Sequence, residues 1–293
     1  MQPDSYHPPA FGATEVAQRL NLHRAGRGWR GPCPLCGYID AFALDVREGR
    51  MLAWCANCED RAGLAALLRQ ASGTLPARRA ERLPRLDRAD PASRIERAAA
   101  IWRGAERIEP GSPAHKYLER RRISHVATSP ALRWRADCPH PGGGRHLALL
   151  AAVSAADGGF AGVQRIFLDR DGRKAAIEPV KASLGLIAGG AVRLQNTSAE
   201  LVIGEGIESA AAAGALLNLP AWAAVSCGNL ANSMILPAEI RRVIIAVDRD
   251  EAGERAAREA GARWKNEGKS VRFLKPSAPG ADAADILAAR GAA

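Results

Sequence analysis

The sequence predicts an α/β protein: a Rossmann-like parallel sheet with a flanking small α+β subdomain, preceded by a small domain organised by cysteines. Three observations carry this. Two short apolar runs, Leu201-Val202-Ile203 and Val243-Ile244-Ile245-Ala246-Val247, end abruptly at acids and are followed by helical patterns. Unbroken apolar runs of this length, rich in branched residues, are strands buried on both faces, as in parallel sheets. Between residues 130 and 195 the pattern changes to alternating apolar runs with Asp-Gly turns, the signature of antiparallel hairpins. Near the N-terminus, Cys33, Cys36, Cys55 and Cys58 form two Cys-x2-Cys pairs separated by eighteen residues.

A chain of 293 residues with 47% apolar composition is long enough for two or three small domains with cores of their own. No run of eighteen uncharged apolar residues occurs, and the first fifteen residues lack a basic segment leading into an apolar one. The expectation is a protein that is neither secreted nor membrane-spanning and that works in a reducing cytoplasm. The formal charge of +10 is the footprint of a protein that meets polyphosphate, most often nucleic acid. An Ala- and Arg-rich composition produces the same balance without such a role, so charge alone does not decide.

In chain order, residues 1–72 read as a zinc-ribbon domain. Thr14 opens a short helix, and the cysteine pairs follow with alternating apolar residues between them. Each Cys-x2-Cys turn presents two thiolates, and a hairpin that joins the turns completes a tetrahedral Zn²⁺ site with no open position, hence a structural one. The stretch from GRGWRGPCP to AWCANC resembles the N-terminal zinc ribbon of bacterial and phage primases. Cys36 stands where replicative primases often carry His. The resemblance implies contact with template DNA. Trp29, Arg30, Phe42, Arg47, Arg50 and Trp54 supply the cations and flat rings that single strands need, though each also suits ribbon packing or a solvated surface.

Residues 73–91 are Pro- and Arg-rich and read as a basic linker. Residues 92–128 are a helical segment, broken at Pro110-Gly111 and restarted by Ser112 as N-cap with Pro113 in the first turn. The GSPAHKYLERRRI stretch is similar to one that precedes the catalytic region in primase-like proteins of phages and mobile elements. Residues 129–198 form the β-rich subdomain, with turns at Asp157-Gly158-Gly159 and Arg170-Asp171-Gly172-Arg173. Cys138 and His140 are too few for a second metal site and read as loop.

Residues 199–293 hold the acids. Strands that end at Glu205 and at Asp248 and Asp250 put carboxylates outside the carboxyl ends of a parallel sheet, where ligands of such sheets bind. Three converging carboxylates repel unless a cation neutralises them, and hard oxygen donors suit Mg²⁺ or Mn²⁺. The alternative is helix capping, which Asp250 ahead of Glu251-Ala252-Gly253-Glu254 would supply. Gly204-Glu205-Gly206 before a helix, with AVDRDEAGERAA after a strand, resembles the Toprim domain of bacterial primases, topoisomerases and some nucleases.

That resemblance implies that Glu205, Asp248 and Asp250 hold catalytic magnesium. The β-rich stretch resembles the small subdomain that flanks the Toprim sheet in primases, which implies that Arg165 and Lys181 contact template or nucleotide phosphate, with ordinary surface charge as the alternative; Arg249, between the two aspartates, is a further such residue. One departure stands out: primases carry an Asp four residues after the Glu, where this chain has Ser209, with Glu208 one place earlier. Asp282 and Asp285 near the last helix are further acids that either approach a second metal or cap that helix.

The expected activity is synthesis of short RNA primers on single-stranded DNA from NTPs. The absence of a GxxxxGK[ST] loop leaves any helicase a separate partner. The alternatives are a Toprim nuclease or topoisomerase-like enzyme, or a zinc-dependent single-strand-binding accessory protein. A topoisomerase needs a nucleophilic tyrosine, and Tyr6, Tyr38 and Tyr117 sit in no convincing site.

Overall fold

The computed structural model describes residues 12–26, 28–35, 42–47, 49–55, 61–72, 91–197, 199–277, 280 and 282–290. The chain divides into two compact units, Met1–Asp90 and Pro91–Ala293.

The first unit contains helix α1 (Ala13–Arg19), strands β1 (His23–Ala25), β2 (Gly28–Gly31), β3 (Phe42–Arg47) and β4 (Arg50–Cys55), and helix α2 (Arg61–Ala71). The strands pair in order as an antiparallel sheet. Its core is Val16, Ala17, Phe42, Leu44 and Leu64, together with Cys33 and Cys55. Cys55 ends β4 opposite Phe42, and Cys33 follows β2 by two residues. The ribbon therefore buries one cysteine of each predicted pair in a single apolar cluster. Cys36 and Cys58 lie outside the described residues, as do residues 73–90 of the predicted linker.

The second unit begins with helices α3 (Pro91–Arg103) and α4 (Pro113–Arg120). Ser112 caps α4 as expected: its hydroxyl accepts from the His115 amide, and Pro113 occupies the first turn. A four-stranded antiparallel sheet follows: β5 (Leu132–Pro139), β6 (Arg145–Ser154), β7 (Phe160–Phe167) and β8 (Lys181–Gly185). Ala98 and Ile101 of α3 pack into its core with Leu150, Val163 and Phe167. The β6–β7 turn uses Gly158 at φ +90°, and Asp157 accepts the Gly159 amide.

One reading changes here. The stretch at Cys138 is not a loop but the end of β5, which bulges between Arg135 and Cys138. Cys138 is buried in the core, and the His140 ring accepts the Gly142 amide through Nδ1, closing the turn that follows. The apolar face across the sheet, rather than local turn chemistry, decides this segment.

The second sheet contains β9 (Val192–Arg193), β10 (Glu200–Gly204), β11 (Ala221–Ala223), β12 (Arg242–Ala246) and β13 (Ser270–Leu274), in spatial order β13-β12-β10-β11-β9. All pairs are parallel except β9 with β11. Helices α5 (Ile207–Leu217) and α6 (Glu251–Asn266) make the crossovers, and α7 (Ala283–Arg290) closes the fold. Leu201, Ile203, Val243, Ile245 and Val247 pack with Ala256, Ala257, Ala260 and Trp264 of α6. The alternate residues of β10 face α5, whose Ala210, Ala211, Ala212 and Ala213 are fully buried.

Candidate active site

The order of the second sheet fixes where a ligand can sit. From β10 the chain crosses to β11 on one side, and from β12 it crosses to β13 on the other. The connections therefore diverge between β10 and β12, and a crevice opens at the carboxyl ends of these two strands. Glu205 follows β10 directly, and Asp248 and Asp250 follow β12.

Two glycines allow this geometry. A Cβ on Gly204 would stand 2.5 Å from the amide nitrogen of Ala210, so only glycine lets α5 fold back this tightly behind Glu205. A Cβ on Gly253 would meet the Asp248 carbonyl at 2.6 Å. Next to them, Val225 takes a φ of +76°, a left-handed conformation rare for a β-branched residue. Its amide donates to the Glu205 carbonyl at 2.8 Å. Strained backbone of this kind persists only where its surroundings over-determine it, and here it directs the loop that carries Cys227.

Each acid accepts a hydrogen bond at one carboxylate oxygen. The Cys227 thiol donates to Glu205 Oε2 at 2.7 Å, the Ser209 hydroxyl to Asp248 Oδ1 at 2.7 Å, and the Gly253 amide to Asp250 Oδ1 at 2.7 Å. Asp250 is therefore the N-cap of α6, which does not exclude it from a ligand role. Burial pushes the Glu205 carboxyl up; the Asp250 charge adds to this, and the thiol and Lys181 oppose it. Asp248 is pushed up to about 6, first by burial and then by the charges of Glu205, Asp282 and Asp250, against its bond from Ser209. The same burial, with Glu205 beside it, pushes the Cys227 thiol up, so it acts as a neutral donor.

Among the described residues no three Asp, Glu, His or Cys side chains close around a common point. Cys227 reaches Glu205 from the loop after β11 and Ser209 reaches Asp248 from α5, so only Asp250 is bonded within its own turn. The donor chemistry nevertheless fits a hard divalent cation: the groups are carboxylates from adjoining strand ends, and burial penalises the charge of Glu205 and Asp248.

Glu208, three residues on, is the opposite case. It accepts from the Tyr117 hydroxyl at 2.5 Å and pairs with Lys181 at 3.0 and 3.2 Å and with Lys174 at 3.5 Å. Burial pushes its carboxyl up, but Lys181, Tyr117 and Lys174 outweigh that and hold it down to about 2. It is thus a buried, charge-paired acid and not a stand-in for the missing Asp. Ser209 holds that position, bonded to Asp248.

The structure corrects one expected phosphate contact and gives another partners within the chain. Arg165 is 1% exposed and donates to the Pro139 carbonyl, so its guanidinium belongs to the core of the antiparallel sheet. Arg249 donates to the carbonyls of Pro276 and Ser277 and pairs with Glu254, tying down the segment ahead of α7. Lys181, the third, is 35% exposed and engaged by Glu208. In the first unit Trp29 is half-buried beneath the Arg24 guanidinium, and Arg30 is exposed. Asp282 accepts the amides of Ala284 and Asp285 as the cap of α7, and its charge still reaches Asp248.

Cys227, Lys174 and Tyr117 are partners that sequence reading does not single out as such. Cys227 and Lys174 sit in no motif, Tyr117 sits in one that suggests no partner, and Tyr117 and Lys174 are distant in sequence from Glu208. A separate groove, lined by Trp102, His125, Ser129, Arg193 and Asn196, contains none of the acids.

Residues 200–293 match the Toprim domain family, and residues 92–194 match a domain of unknown function, DUF7146. The C-terminal part of the chain is a Toprim domain. The fold around it resembles that of primases. The zinc-binding and RNA polymerase domains of the Aquifex aeolicus primase align with 94% of this chain and 80% of their own, at 14% identity and a TM-score of 0.51. A DnaG primase catalytic domain bound to ssDNA aligns with 69% of this chain and 78% of its own, at 15% identity and a TM-score of 0.49. The E. coli primase catalytic core aligns over 67% and 75%, at 16% identity and a TM-score of 0.46. The likeness of fold rests on the first of these. No curated protein matches the chain. Among the described residues no helix is long and apolar enough to cross a membrane.

Proposed function

We propose that this chain is a primase-like nucleotidyltransferase that makes short RNA primers on single-stranded DNA from NTPs. One observation carries the reading: Glu205, Asp248 and Asp250 stand at the two strand ends that flank the switch point of a Toprim sheet, and burial and mutual repulsion raise two of them. Acids so placed are costly to keep unless the charge is used. Glu205, Asp248 and Asp250 would hold Mg²⁺ or Mn²⁺, which supplies charge neutralisation at the reacting phosphates and a Lewis acid toward their oxygens.

The chain's own residues do the rest. Cys227 and Ser209 fix the Glu205 and Asp248 rotamers by donating to one oxygen of each. The paired lysines, Lys174 and Lys181, place positive charge beside the acids, where triphosphate or template phosphate would bind. In the first unit Cys33, Cys36, Cys55 and Cys58 would hold a structural Zn²⁺. Burial of Cys33 and Cys55 in one core supports that assignment. Trp29 and Arg30 are the ribbon residues offered to template, and a separate helicase is the expected partner.

The test is primer synthesis by the whole protein on single-stranded templates with labelled NTPs and Mg²⁺ or Mn²⁺. Wild type yields short RNA products, while Asp248→Asn and Glu205→Gln lose them by about a hundredfold or more and retain DNA binding. Template degradation in place of product would favour the nuclease reading. Products undiminished in both variants would refute the role of the acids.

A further inference from the structure

Glu208 lies on the first turn of α5, one turn beyond Glu205, and its carboxylate gathers groups from three other segments. Tyr117 comes from α4, Lys174 from the stretch after β7, and Lys181 from the start of β8. Lys181 Nζ sits 3.0 and 3.2 Å from the two carboxylate oxygens, and Lys174 Nζ 3.5 Å from one of them. The Tyr117 hydroxyl donates to the same carboxylate, which is 9% exposed and so held in one orientation. Both lysine side chains are about a third exposed, at 34% and 35%, so each keeps access to solvent while paired with Glu208.

Lys181 Nζ bonds Glu208 Oε2, which lies 3.3 Å from where a Cβ on Gly206, the neighbour of Glu205, would stand. The Lys181 charge also reaches Glu205. An ammonium on a flexible four-carbon stem moves readily to whichever partner holds it better. Were it to pair with Glu205, it would occupy the acidic site with a monovalent charge and oppose entry of a divalent one.

We propose that Glu208 is a positioning residue: by clamping Lys181, with Tyr117 fixing the carboxylate, it keeps Glu205 free for a divalent cation. The inference rests on the acidic site being a divalent-cation site, and it adds a role that the acids themselves do not supply. It explains why the fold retains a charge at position 208, where a neutral polar group could also accept from Tyr117.

The test is Mn²⁺ binding to the full chain by titration calorimetry, a readout independent of activity. Glu208→Gln keeps an acceptor for Tyr117 and removes the clamp. It is expected to weaken Mn²⁺ binding about fivefold or more, as a nearby unit charge does in a partly buried site. The double variant Glu208→Gln with Lys181→Met removes both clamp and competitor and is expected to restore binding to within about twofold of wild type, since nothing then competes for Glu205.

Restoration separates the proposal from a structural role. A residue needed only for folding would not be rescued by deleting a second one, and the unfolding temperature of each variant checks that it is folded. Unchanged binding in Glu208→Gln, or a double variant as weak as the single, overturns the inference and leaves the acidic site standing. If wild type binds no Mn²⁺, both the site and the inference fall.

Discussion

Glu205 and Glu208 are the same residue type three positions apart, one half-buried and one buried, and burial alone would raise both. Glu208 is instead held down to about 2, because Lys181, Tyr117 and Lys174 meet it. Glu205 and Asp248 stay raised, with a thiol and a hydroxyl as their bonded partners and other acids as neighbours. The fold thus completes one acid and leaves the others incomplete. The first has the character of a structural joint between the segments matched by the two families, and the others have the character of a site awaiting a ligand.

The largest effect should come from emptying the joint. Glu208→Ala leaves two lysines facing each other and a tyrosine hydroxyl without its acceptor. It should lower unfolding stability by about 2–4 kcal/mol, less than for a fully buried pair because the lysines reach solvent. Denaturant unfolding measures this, and a loss under 1 kcal/mol would deny Glu208 its structural part.

Acid should act on the same joint. In the unfolded chain Glu208 protonates near its ordinary 4.5 and in the folded chain near 2, so its contribution is present above pH 4.5 and disappears as pH falls from there to about 2. Lys174 is itself pushed down, by burial and then by Lys181, so the net gain is smaller than the Glu208 shift implies, on the order of 2 kcal/mol. Glu208→Gln should flatten the stability profile across that window, and an unchanged profile would deny the pairing.

At the incomplete site the sign reverses. Asp248 protonates near 6 when folded and near 3.8 when unfolded, so the folded chain loses stability as pH rises through that interval. Asp248→Asn should therefore stabilise the metal-free protein by about 1–2 kcal/mol at pH 7.5, with the advantage fading toward pH 4. A destabilised variant at pH 7.5 would mean that Asp248 is structurally required. The smallest effect concerns Val225: replacement by glycine relieves a conformation that costs about 1 kcal/mol or more, and thermal unfolding should show it unchanged or slightly more stable. A loss above 2 kcal/mol would mean that the Val225 side chain, not its backbone, is what the loop needs.

Much of this was legible in the sequence. Uninterrupted apolar runs ending at Glu205 and Asp248 report strands buried on both faces, and the acids mark their carboxyl ends. Asp-Gly turns report the β6–β7 hairpin, and Ser112-Pro113 reports the start of α4. The partners were not legible, because pairing across sheets leaves no local periodicity. Tyr117, Lys174 and Lys181 reach Glu208 only after α4 and the antiparallel sheet have packed. Arg165 and Arg249 are expected at phosphate by family resemblance, which says nothing of partners inside the fold; each has backbone carbonyls to satisfy it. Cys138 looked like part of a loop because the bulge in β5 breaks its alternation.

The most direct test of the incomplete site is thermal unfolding of wild type and Asp248→Asn with and without saturating Mn²⁺ at pH 7.5. A ligand that binds only the folded state raises its unfolding temperature. Without metal, Asp248→Asn should unfold at the higher temperature, and Mn²⁺ should raise wild type well above its metal-free value while leaving the variant where it was. Equal shifts in both proteins, or none in wild type, would contradict a divalent cation at Glu205, Asp248 and Asp250.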